Sequence, residues 1–222
     1  MIDLLTILQH ADSAFPSGSF AFSNGIEGLS AMNVTLDRRG LQDVVVIFLR
    51  HRWACSDRVA VARTHRANGD FTLVADIDHA VEAATLAEPL RTGSKRNGKA
   101  LLAAHTRLGT PGAQELKARI ADGEAFGHLP IVQGFVWRAS GLSEAAAVTV
   151  SGYSTAAGLI AAAVRLGRIG GVEAQAVLAA VLATIAELSS PIPPDAEIES
   201  FMPWVDAAAS RHARADLRLF AS

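Results

Sequence analysis

One uncharged run, Ala145 to Val164, restricts this chain more than any other feature. As a helix it is about as long as a bilayer core is thick, which takes ~20 residues. Such a run belongs either in a membrane or inside a helical core. Thr149, Ser151, Tyr153, Ser154 and Thr155 interrupt it, it has no dense Leu/Ile/Phe block, and Arg165 follows at once. These features predict a buried core helix, started at Ser143–Glu144, and not a membrane span.

The rest of the chain supplies partners for such a helix. With 222 residues, half of them hydrophobic, it can bury a substantial core. Alanine, the best helix former, is abundant, and the strict alternation of strands is nearly absent. Helical spacing predicts helices over residues 1–9, 20–32, 71–90, 94–108, 113–120 and 172–188, and one beginning near Pro130. Asp37 is placed to cap a long helix that ends at Asn68–Gly69. The reading is all-α: a single-domain helical bundle of roughly eight to ten helices. Residues 1–190 form the core, and the proline-rich, acidic stretch 191–203 reads as a linker. Residues 204–222 read as a tethered amphipathic C-terminal arm.

Charge and motif content narrow the function. The net charge is -2 and no basic stripe stands out, which argues against nucleic acid as a partner. Cys55 is the only cysteine, so no internal disulfide forms, and a reducing compartment fits. The N-terminus lacks a basic region and a cleavage signature, so a cytoplasmic location is expected. There is no Walker loop or dinucleotide fingerprint. The stretch Gly152 to Ala156 lacks the final glycine of a nucleophile elbow and falls inside a predicted helix. No two of the seven histidines are four residues apart. Asp76, Asp78 and His79 form a small cluster in which 76 and 79 share a helix face while 78 points elsewhere, and they read as a solvated helix face. Catalytic, cofactor and metal residues are therefore expected to be absent. The expectation is a protein that binds other proteins. The alternative is a helical enzyme whose His and Asp side chains meet only in the fold.

The most unusual stretch runs from Leu8 to Glu27. Pro16 and Gly18 set a tight turn, Ser17 or Ser19 is available as a cap, and Phe20 and Phe22 are available to pin the next helix. Its Gln9, Ser13, Pro16, Gly18, Phe20, Ser23, Gly25 and Glu27 resemble the opening of the urease accessory protein F family. Three further segments resemble that family in the same order. They are Leu90–Arg91 with Ser94 and Gly98; Ala163 to Leu166 with Gly170 and Gln175; and Ser210 to His212 with Arg218, Leu219, Phe220 and Ser222. Five positions depart from the usual pattern: Ser19, Arg168, Gly171, Ala213 and Asp216.

The resemblance implies an all-α homodimer without catalysis of its own. It implies an adaptor between the D-type (also called H-type) accessory protein and the G-type GTPase, acting on apo-urease. Nickel and GTP are expected on the partners, with no cofactor here, and the departures allow a paralogue serving a related metalloenzyme. The implied partner-binding residues are Pro16, Gly18, Phe20, Ser23, Glu27, Arg91, Ser94, Arg165, Gln175, Arg211, His212, Arg218, Leu219 and Phe220. Two alternatives stay open. The tail either docks on the D-type partner or packs on its own core. Arg91 and Arg165 either face the GTPase or form internal ion pairs.

Overall fold

The computed structural model describes residues 2–18, 22–212 and 219–220. Among these residues there is no strand, and the helices form one domain. In chain order they are α1 (Ile2–Ala11), α2 (Ile26–Ala31), α3 (Arg38–Phe48), α4 (Arg58–Arg66), α5 (Phe71–Ala84), α6 (Glu88–Arg107), α7 (Ala113–Ala121), α8 (Leu129–Ala139), α9 (Glu144–Arg165), α10 (Gly171–Leu188) and α11 (Pro203–His212). A π-helical segment, Leu49–Asp57, joins α3 to α4 in one continuous rod.

Local rules place several helix starts. Asp37 accepts the Gly40 N–H at 2.8 Å and starts α3. Asp70 does the same for α5 through Thr72 and Leu73. Ser143 Oγ accepts the Ala146 N–H at 3.2 Å and opens α9. Pro130 sits in the first turn of α8, where its missing N–H leaves no bond unmade. Asn68 and Gly69, both with positive φ, close α4.

The uncharged run is α9, and it lies in the core. Its neighbours are α1, α2, α3, α4, α8 and α10. Ser151 on its inner face accepts the Trp53 Nε1–H at 3.2 Å and donates to Gln133. Both α9 and α10 are long and apolar enough to cross a membrane; more of α9 than of α10 is buried against the protein.

Three segments differ from the sequence expectation. The helix expected over 20–32 begins only at Ile26, because Gly25 takes a φ of 90° immediately before it. The helix expected over 71–90 is two helices. Pro89 starts α6 instead of ending α5, and Thr85 breaks the chain in an extended conformation. Residues 191–203, expected as a linker, lie along the α3–α4 rod. Arg58 donates to the Leu188 and Ser190 carbonyls, and Arg66 donates to Ile192 O at 2.8 Å. The Cys55 carbonyl accepts the Glu199 N–H at 3.0 Å, and Ile192 and Met202 are buried. Beyond it, α11 packs on α2 and α6 with Val205, Ala208, Ala209 and His212 turned inward.

Candidate functional site

Segments from both ends of the chain meet at Glu27. This residue lies in the first turn of α2 and is almost fully buried. Its Oε1 accepts the Leu219 N–H at 2.7 Å, and its Oε2 accepts the Phe220 N–H at 3.2 Å. His212 Nε2 lies 2.9 Å from the same Oε2. Above this group the Arg165 guanidinium covers the Phe220 ring, 4.1 Å from its centroid. Burial lowers the Arg165 pKa, and the negative charge of Glu27 works against that shift. The approach of α11 requires Gly28, because a Cβ there would lie 2.4 Å from the Ala208 carbonyl oxygen. Three of the four resembling segments therefore form one buried corner: Glu27 from the first, Arg165 from the third, and His212 with Phe220 from the last.

The remaining segment builds a second corner, where α5, α6 and α8 meet. Arg91 donates to the Thr85 and Leu86 carbonyls and lies 3.5 Å from Glu82. Ser94 Oγ accepts the Leu129 N–H at 3.2 Å. Gly98 is pressed against the loop before α8, where a Cβ would lie 2.0 Å from the Gly127 carbonyl oxygen. Asp78 organises that loop: it accepts the N–H groups of Phe126, Gly127 and His128 at 2.8, 2.6 and 3.2 Å. Its residue exposure is 0%, so it departs from the expected solvated face, on which Asp76 and His79 are exposed as expected. Glu82 bonds His128 at 2.7 Å and Lys95 at 3.1 Å. Partial burial pushes the Glu82 pKa up, but the bonds from His128 and Lys95 outweigh this and leave it lowered.

A third cluster escaped sequence reading. His10 and His105 lie nearly parallel, 5.2 Å apart, flanked by Phe15 and Trp137. Thr110 Oγ1 lies 2.8 Å from His105 Nδ1. Burial, then the neighbouring His10, brings the His105 pKa down to about 4, and burial lowers that of His10. The two residues are far apart in the chain, and neither spacing nor neighbours signalled the pairing.

The other expected site residues scatter. Pro16 and Gly18 are exposed in the loop after α1, with Gly18 at φ 74° close to Ala100. Ser23 is buried. Gln175 on α10, Arg211 on α11 and Leu219 face solvent. Arg168 and Gly171 are exposed in and after the α9–α10 turn, and a side chain at Gly171 would meet nothing within 4 Å. Phe20, Arg218, Ser19, Ala213, Asp216 and Ser222 lie outside the described residues. No group of three His, Cys, Asp or Glu side chains able to hold a metal ion is assembled among the described residues.

The UreF family model matches residues 36–182. The chain belongs to the UreF family. Curated UreF relatives extend the likeness over both ends of the chain. Urease accessory protein UreF of Yersinia enterocolitica serotype O:8 / biotype 1B is 30% identical over 230 residues, covering 99% of this chain and 98% of its own. Urease accessory protein UreF 1 of Brucella melitensis biotype 1 is 32% identical over 235 residues, covering 98% and 92%. UreF proteins are accessory proteins and not enzymes, so the corners at Glu27 and Asp78 are read as structure and binding surface, not catalytic centres.

Proposed function

We propose that this UreF chain is an adaptor in urease maturation, holding the D-type accessory protein on its C-terminal segment and the G-type GTPase on a separate surface. Nickel and GTP stay with the partners, and apo-urease receives the metal from the assembly. Near-full-length likeness to proteins named urease accessory protein UreF supports the accessory role.

One observation carries the D-type assignment. The C-terminal segment is packed on its inner side yet presents Phe201, Trp204 and Leu219 outward at 75%, 72% and 64% exposure. Large apolar side chains on a well-anchored segment suit a partner's apolar surface, and aromatic anchors dominate such interfaces. The adjacent exposed Arg211 supplies charge at the rim. For the GTPase, the exposed Arg168 and Gln175 near the start of α10 are favoured over Arg91 and Arg165, whose guanidinium groups have internal contacts. A homodimer belongs to the same reading. Leu4, Leu5 and Leu8 of α1 and Val172 and Leu182 of α10 are exposed and available for it.

The test is co-purification of the tagged chain with its D-type and G-type partners, singly and together. A stable ternary complex is expected. Failure to retain either partner would remove the adaptor reading.

A further inference from the structure

We infer that Glu27 and Arg165 are positioning residues, acting from inside the protein to set the partner-facing surface of the C-terminal segment. The inference rests on the adaptor reading above and assigns that surface its control point.

The decisive feature is the Leu219–Phe220 dipeptide. Phe220 is buried, while its neighbour Leu219 is mostly exposed. Rotating this short piece of backbone would exchange which side chain faces the solvent. The dipeptide is not helical, so no helical ladder fixes its orientation. Among the described residues, one carboxylate takes both backbone N–H groups and also contacts His212. Bonds to an ionised acceptor are stronger than neutral ones. Arg165 then closes over the Phe220 ring from α9. The same α2 helix receives α11, through Gly28 against Ala208, so the first turn of α11 with Trp204 is referenced to the same support.

Among the described residues, the exposed Leu219 owes its placement to this one carboxylate and to the seat of Phe220. Fixing it before the partner arrives removes an ordering cost from binding and raises affinity without any contact from Glu27 or Arg165 to the partner. Arg165 thereby changes role, from an expected partner contact to an internal clamp.

The experiment uses the full-length chain and two readouts. Amide hydrogen exchange at Leu219 and Phe220 reports the latch, and capture of the D-type partner reports the surface. Glu27→Ala is expected to speed exchange at both amides by roughly ten- to a hundredfold, the loss of bonds to a charged acceptor, with core amides unchanged. It is expected to weaken capture at least tenfold. Glu27→Gln keeps one carbonyl acceptor and falls between wild type and Glu27→Ala in both readouts. Leu219→Ala leaves exchange at Phe220 as in wild type and weakens capture.

Unchanged exchange in Glu27→Ala overturns the inference, and so does faster exchange with full capture. If Glu27→Ala fails to fold, Arg165→Ala leaves the carboxylate in place and carries the same comparison. Normal capture by both Leu219→Ala and Trp204→Ala would instead remove the D-type assignment, and the exchange result alone would then decide the latch.

Discussion

Two buried carboxylates in this protein do the same job in different settings. Asp78 gathers three consecutive backbone N–H groups of the loop before α8, and Glu27 gathers two of the C-terminal dipeptide. The Asp78 bonds span 48 to 50 residues; the Glu27 bonds span 192 and 193. The loop held by Asp78 has helices on both sides, and Glu82, Lys95, Arg91 and His128 brace the surroundings. The dipeptide held by Glu27 lies at the chain end, with Leu219 in solvent. A carboxylate inside a closed loop supports the whole fold. A carboxylate that holds one dipeptide supports that dipeptide first.

The largest expected effect tests the first half of that contrast. Asp78→Ala leaves three amide donors without an acceptor in a fully buried corner, at ~1–3 kcal/mol each and less than additively. Loss of about 4 kcal/mol is expected, or roughly 10 °C in melting temperature for a chain of this size. Urea unfolding checks it; a loss near 1 kcal/mol would make the two carboxylates equivalent and break the comparison.

Acid is the next test, because burial lowers the pKa values of His128 at the Asp78 corner and of His10 and His105 in their stack. The His105 pKa is near 4, and burial also lowers that of His128, which is bonded to Glu82. A histidine whose folded pKa is below its unfolded value binds fewer protons when folded. Stability is therefore full above about pH 6.5 and falls as pH drops towards 4. One such group contributes a slope of at most about 1.4 kcal/mol per pH unit in that window. His105→Leu is expected to flatten the stability–pH curve there, measured by urea unfolding from pH 7 to pH 4.5. An unchanged slope would separate the His10–His105 stack from acid sensitivity.

What sequence made legible follows the reach of each interaction. Asp37, Ser143 and Pro130 were readable because a cap or a first-turn proline acts within three residues. Pro89 was misread because proline suits both the end of one helix and the start of the next, and only the Thr85 break decides between them. The π segment left a trace, since buried Phe48 and Trp53 are five apart, but an expected 3.6-residue period passes over such a step. Four prolines between 191 and 203 signalled a loose tether. The arginines that hold this stretch donate to backbone carbonyls, and no sequence pattern marks those. Asp78 looked solvated beside Asp76 and His79 for the same reason: its partners are backbone amides 48 to 50 residues away. The four resembling segments were each visible, but that three of them meet in one corner depends on distant parts of the chain coming together.

A smaller global effect is expected from the open corner. Glu27→Ala is predicted to cost about 1 kcal/mol of global stability, although it removes two backbone hydrogen bonds. The freed amides lie beside the exposed Leu219, where water can reach them. The melting temperature should fall by roughly 3 °C. A loss as large as that of Asp78→Ala would mean that the C-terminal segment unfolds with the core as one unit, and the distinction between the two corners would disappear.

The smallest expected effect on stability belongs to Trp204. It is an exposed first-turn side chain of α11, and at 72% exposure it buries little apolar area on folding. Surface substitutions of this kind fall within about 0.5 kcal/mol. Trp204→Ala should therefore melt with the wild type while reducing capture of the D-type partner, because an aromatic anchor contributes mainly to the interface it enters. The two readouts together place Trp204 on one side of the latch or the other. Loss of capture with unchanged melting puts it on the binding face. Loss of both would mean that α11 leans on this ring, and that the open corner extends further into the fold than Glu27 and Phe220 alone define.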